Sequence, residues 1–354
     1  MTNKIKSLRR NIAILEEIYS SHLIPNERFL AGVKKDKYMD FIDKDLQSKK
    51  IELEKLMADT PSGIDNITIG DDLEHFLVVA APQELDAGLA WVAENGWNVK
   101  KHKIANRTGR RIEMKFADGA KLNVGIICAT HKGNMSSREL ISDIVHHESP
   151  KSLLMVGMMG GIPEKVNLMD IVCPMIVYDG TAIGTKDGAI LPEGRPLPMH
   201  ERIADILSNL GTKHYKGIEL KIVKNKHSVT VWEKIDDLTP ELSKAILNKD
   251  PENIVGLEME AYAVAHANLN QQLHDNNVVF GVFKSVADFC STIDEIDDKT
   301  KEKIAKFVDL SQFDQPHNPT KNKELKAKLQ SEGTKLSFEL AMHVLEDLDS
   351  LHSK

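Results

Sequence analysis

Cysteine is scarce and scattered: Cys128, Cys173 and Cys290 lie far apart, each inside or beside an apolar strand-like run. That spacing excludes a zinc cluster of the Cys-x-x-Cys kind and predicts buried thiols. No apolar run approaches the roughly 20 residues that span a bilayer, and no apolar h-region follows Met1-Thr2-Asn3-Lys4-Ile5-Lys6. An internal repeat and a low-complexity tract are also absent. Positive charge is in deficit, with 46 Lys+Arg against 53 Asp+Glu and a formal net charge of -7. Such a balance disfavours non-specific nucleic-acid binding, which needs a concentrated positive field. The absences together predict a soluble cytoplasmic protein with no metal, no cofactor, and neither nucleic acid nor membrane as partner.

What is present is a chain of 354 residues that is 41% hydrophobic. This allows a core of roughly 230 to 280 residues plus an appendage. From Ile5 to about Met57 the chain is rich in Lys, Glu and Asp, with Ile12, Leu15, Ile18, Tyr19 and Leu23 at helical spacing. Pro25-Asn26 interrupts the pattern and Thr60-Pro61-Ser62-Gly63 reads as a linker, so a helical extension over 1–63 is expected ahead of a domain over 70–354. Phe76 to Pro82 reads as a buried strand followed by an amphipathic helix through Leu85, Leu89 and Val92. Arg111 to Phe116 and Leu122 to Ala129 read as strands around the Asp118-Gly119 turn. A glycine-bearing loop, Thr130 to Asn134, then leads into a helix reaching about His147. Ser152 to Gly157, Asp170 to Val177 and Val278 to Val282 are further apolar strands. Helices are expected near 201–210, 241–247 and 324–351, and a polar insertion near 307–334.

Short apolar strands alternating with helices predict an α/β protein with a mostly parallel, doubly covered sheet. Ligands in such sheets sit at the carboxyl ends of strands. Glu84, Gly133, Gly157, Glu260 and Asp288 all fall just past an expected strand, which points to one shared site. Two acidic segments stand out there: Gly256-Leu257-Glu258-Met259-Glu260, expected to open a helix, and Lys284-Ser285-Val286-Ala287-Asp288-Phe289, expected to close a strand. A carboxylate beside a sugar and a carboxyl acid beside its substituent suit glycosidic-bond cleavage, which builds positive charge on the ring while the leaving group takes a proton.

Taken in order, these segments resemble the purine nucleoside phosphorylase and uridine phosphorylase superfamily, in particular its hydrolytic branch typified by 5'-methylthioadenosine/S-adenosylhomocysteine nucleosidase. The resemblance runs from about Phe76 to Leu348. It is carried by the turn ending at Glu84, the loop Thr130 to Asn134, Val156-Gly157-Met158-Met159-Gly160-Gly161-Ile162 with the strand after it, Glu258-Met259-Glu260, and Ser285 to Asp288. It implies one domain with a central mixed sheet flanked by helices. It also implies a homo-oligomer and a nucleoside or nucleotide as the small-molecule partner.

By the same resemblance Glu84 looks like the carboxylate that positions or deprotonates water, and Glu260 like the one that grips the ribose hydroxyls. Met259 looks like the methionine under the sugar, with Glu258 supporting it. Asp288 looks like the general acid for the purine N7, with Ser285 helping to hold it. Trp232 could stack on the base, and Gly133 and Gly157 would let backbone approach a ligand. Met158 and Met159 are expected in the core.

Phosphorylases of the superfamily carry an arginine just before the glycine turn, where this chain has Met155. Water is therefore the expected nucleophile, although Arg138 could partly compensate. An Asp at position 288 favours an adenine-type base. The alternatives are a phosphate-dependent phosphorylase and a non-catalytic nucleotide sensor. Nucleosidase-like domains fused to other modules in antiviral defence systems suggest that residues 1–63 serve regulation, assembly or a protein partner.

Overall fold

The computed structural model describes residues 73–105, 107–116, 119, 121–131, 133–180, 183–186, 189–192, 196–231, 250–272, 278–290, 296–313 and 322–352, and five positions between 44 and 51. The extension expected over 1–63, the helix expected near 241–247 and Trp232 lie outside the described residues. The larger of two compact units, Leu73–Val145 with Ser149–Lys354, carries the sheet and the cavity.

Ten strands form the sheet: β1 (His75–Val79), β2 (Asn98–Ile104), β3 (Arg107–Lys115), β4 (Lys121–Cys128), β5 (Ser152–Gly161), β6 (Ile171–Asp179), β7 (Pro196–Pro198), β8 (Ile222–Thr230), β9 (Ile254–Glu258) and β10 (Val279–Phe289). The helices around it are α1 (Pro82–Glu94), α2 (Asn134–Glu148), α3 (Glu201–Asn209), α4 (Ala261–Gln272), α5 (Asp298–Ala305) and α6 (Lys323–His352). Strand order is β9-β8-β6-β10-β5-β1-β4-β3-β2, with β7 on β6. The central pairs β4–β1, β1–β5 and β5–β10 are parallel, whereas β2–β3, β3–β4 and β10–β6 are antiparallel. The sheet is therefore mixed.

Alternation along β1 sorts the core into two layers. Leu77 and Val79 pack with Trp91 of α1, Ile203 of α3, Ile304 of α5 and Leu336 of α6. Phe76 and Val78 face Ile141 and Ile144 of α2 and Val264 of α4. Both faces are covered, which is why β1, β5 and β10 read as uninterrupted apolar runs.

One departure from an open sheet sets up the site. The end of β5 runs past β1 and, while still paired with β10, pairs antiparallel with β9, Gly160 opposite Leu257 and Gly161 opposite Gly256. Strands β5, β10, β6, β8 and β9 thus close into a ring. Closure needs glycine at 256, because a Cβ there would lie 2.4 Å from the Gly160 carbonyl oxygen.

Three expectations are corrected. Glu258 ends β9 and α4 begins only at Ala261, so the Glu-Met-Glu segment joins a strand to a helix and is not helical. The strand expected over Val278 to Val282 runs on to Phe289, where the segment from Lys284 closes it as expected, so Asp288 lies inside β10 and not past it. The helix expected near 324–351 is α6, and it takes in residues 323–334 of the expected polar insertion, because Leu325 and Leu329 bury one helical face within the lysine-rich sequence.

Candidate active site

At the carboxyl ends of β1, β5, β9 and β10 lies a cavity of about 410 Å³, inside the ~300–1,000 Å³ range of small-ligand sites. Glu84, Glu258, Met259, Glu260 and Asp288 line it, with Met158, Met159, Lys326 and Gln330. Three acids far apart in sequence, Glu84, Glu260 and Asp288, share this one space.

Glu84 sits in the first turn of α1, where Pro82 opens the helix and Ala81 has no capping side chain. Its Oε2 instead accepts the N–H groups of Ala80 (2.8 Å) and Ala81 (3.1 Å), and Oε1 accepts the N–H of Met158 (3.0 Å). The side chain thereby ties β1 to β5. Gly157 makes this possible: its φ is +150°, and a Cβ there would sit 2.2 Å from Glu84 Oε1. Burial raises the Glu84 pKa above the ordinary carboxylate value; Lys284 opposes this and Glu260 adds to it.

Glu258 is a brace. Its Oε2 accepts the N–H groups of Glu260 (2.6 Å) and Ala261 (2.5 Å), satisfying donors that the start of α4 leaves open. Its Oε1 accepts from the Thr230 hydroxyl, and Thr230 Oγ1 in turn accepts the N–H of Tyr262 (2.8 Å). Burial and the Glu260 charge push its pKa up to about 7. Glu260 projects beyond the brace: Oε1 accepts the N–H of Gly133 at 3.1 Å, and Oε2 meets Lys284 Nζ at 3.3 Å.

Lys284, to which the motif reading gave no role, is the centre of this arrangement. It is 1% exposed, on a β10 whose neighbours are all apolar or small. Burial pulls its ammonium toward losing the proton, but the charges of Glu260, Glu84 and Glu258 outweigh that and hold its pKa above the usual lysine value. A single lysine inside the run Val279–Phe289 was the signal available in the sequence. A buried cation requires a buried anion.

Asp288 lies near the end of β10. Its Oδ1 accepts the N–H of Phe289 at 2.9 Å, and its Oδ2 forms an ion pair with Lys326 of α6. Helix α6 is seated by the Ser337 hydroxyl, which donates to the Gly157 carbonyl at 2.8 Å. Ser285 departs from its expected role. It is fully buried, does not line the cavity, and its hydroxyl has no hydrogen-bond partner among the described residues; a Cβ on Gly333 would lie 2.9 Å from it. The extended strand points residue 285 beneath α6 and away from the ligand space. Met159 is buried in the core as expected and also borders the cavity, whereas Met158 borders the cavity and is only half-buried.

The arrangement offers a braced carboxylate, a second one balanced by a buried ammonium, and an Asp–Lys pair along one wall. No family model matches the chain, and no curated protein does. Solved structures do. The 5'-methylthioadenosine/S-adenosylhomocysteine nucleosidase of Colwellia psychrerythraea 34H, solved with adenine, aligns with a TM-score of 0.51 at 15% identity over 78% of this chain and 95% of that one. The S-adenosylhomocysteine nucleosidase of Streptococcus pyogenes, in complex with 5-methylthiotubericidin, aligns at 0.47 with 15% identity, over 76% and 98%. Futalosine hydrolase of Helicobacter pylori strain 26695 aligns at 0.46 with 13% identity, over 76% and 98%. The Colwellia alignment gives this chain the nucleosidase fold.

Proposed function

We propose that the protein is a purine nucleoside or nucleotide N-glycosidase that uses water to release the free base, adenine being the base that Asp at position 288 favours. One observation carries the reading: Glu84, Glu260 and Asp288, from three distant segments, line a single cavity. Glycosidic cleavage passes through an oxocarbenium-like state, which a fixed carboxylate stabilises more than it stabilises the neutral substrate. Glu260 fills that role, held by the Gly133 N–H and by Lys284. Glu84, locked by three N–H donors and with its proton affinity raised by burial, takes the proton from water. The base leaves at the Asp288 end of the cavity. Met155, fully buried where a phosphorylase would present arginine, favours water over phosphate.

The test is incubation with adenosine, methylthioadenosine, AMP and ATP in phosphate-free buffer, with chromatography of the products. Free adenine from at least one of them is expected. Strict dependence on phosphate would make the protein a phosphorylase, and saturable binding without adenine would make it a sensor.

A further inference from the structure

We propose that Lys326 is the proton donor to the departing base and that Asp288, as its ionised partner, reads the amino group of an adenine-type purine. The proposal rests on the glycosidase reading and deepens it. Asp288 and Lys326 line the cavity side by side as an ion pair, and the second Asp288 oxygen already takes the Phe289 N–H. Each Asp288 oxygen keeps a second lone pair, but in an ion pair the carboxylate is ionised and the proton stays on the amine. The transferable proton in this geometry lies on the ammonium.

The pair also has a pattern. Along one edge an adenine ring presents N7 as acceptor and the 6-amino group as donor, whereas a 6-oxopurine presents two acceptors. A cationic donor beside an anionic acceptor matches the first edge; it sets the second edge's oxygen against the Asp288 carboxylate. Helix α6 holds the cation in register: Leu325 and Leu329 anchor its buried side, and Gln330, one turn on, borders the same cavity.

In the step that follows, the C1′–N9 bond breaks and its electron pair passes to the purine. N7 takes a proton from Lys326 Nζ, the water oxygen bonds to C1′, and the water's proton goes to Glu84. Lys326, left neutral, is reprotonated from solvent as the base departs, and Glu84 returns its proton to solvent.

The experiment compares the wild type with Lys326→Met, Lys326→Arg and Asp288→Asn on adenosine, inosine and a nitrophenyl riboside, whose leaving group departs without protonation. Circular dichroism checks each fold. Lys326→Met is expected to lower kcat on adenosine by about 10²- to 10⁴-fold, and the loss should shrink at least about tenfold on the nitrophenyl substrate. Lys326→Arg should retain more adenosine turnover than Lys326→Met, because it keeps a donor. Asp288→Asn should move kcat/KM from adenosine toward inosine by about tenfold or more.

Wild-type kcat on adenosine in a folded Lys326→Met protein would overturn the proposal, because removing a mere counter-ion leaves Asp288 free to protonate. Equal losses on both leaving groups would also overturn it, by reducing Lys326 to a structural role. Should Lys326→Met fail to fold, the Lys326→Arg and Asp288→Asn results decide, and unchanged base preference in Asp288→Asn would count against the proposal. If the wild type releases no base from any substrate, the glycosidase reading itself fails, which is a distinguishable result.

Discussion

At residue scale the site depends on how little room Glu84 has. With both oxygens committed to backbone donors and Gly157 leaving no space for a side chain, its position is set by main chain and is independent of side-chain neighbours. Gly157→Ala would combine an unfavourable positive φ with a direct clash. We expect it to cost about 1–3 kcal/mol of stability and, by shifting the carboxylate, to lower kcat about 10²-fold. Urea unfolding and steady-state kinetics together check this, and an unchanged kcat would show that the carboxylate tolerates displacement. Glu84 was legible from sequence as an acid just past a strand, and Asp288 as an acid near a strand's carboxyl end. Lys326 was not, because a lysine among many lysines carries no local signal, and only the packing of α6 selects this one.

At the scale of elements, α6 is fastened at a second point by an ionic cluster. Glu94 at the end of α1 accepts from Lys335 (2.7 Å) and from the Tyr215 hydroxyl (2.8 Å), and pairs with Lys216 at 3.0 Å. Partial burial would raise its pKa, but hydrogen bonds from Lys335, Lys216 and Tyr215 outweigh it and bring the carboxyl down to about 2. A depressed carboxylate stabilises the fold above its unfolded value of roughly 4.5 and loses that contribution as pH falls toward about 2. Glu94→Gln should therefore flatten the decline in thermal stability between about pH 4.5 and pH 2. Melting curves across that window test it, and parallel wild-type and variant profiles would remove Glu94 from the linkage. Among the strands hidden from sequence reading, β2 is an edge strand of mostly polar exposed residues, and β8 carries a register shift at His227/Ser228. Neither shows the apolar run by which buried strands announce themselves.

For the whole molecule the decisive event is the closing of five strands into a ring through β5 and β9. It brings the Glu258–Glu260 segment beside β5 and therefore beside Glu84. Gly256→Ala would press a methyl against the Gly160 carbonyl and the Met159 side chain, both 2.4 Å away. We expect a cost of about 1–3 kcal/mol and faster amide exchange at Ile162, whose N–H donates to the Val255 carbonyl at 2.8 Å. Hydrogen exchange followed by mass spectrometry would show it; native protection at Ile162 in the variant would mean that the ring closes without glycine.

By itself the sequence determined the alternation of covered strands and helices and placed three acids at or near the carboxyl ends of strands, because burial and turn chemistry are written locally, within a few residues of each position. Only the tertiary structure decided that Lys284 lies among the glutamates, that Thr230 meets Glu258, that Ser285 faces away and that Lys326 meets Asp288. Each of those outcomes depends on charges and backbone groups separated by tens to hundreds of residues, and such pairings follow from how strands close and helices seat, which no periodicity along the chain encodes.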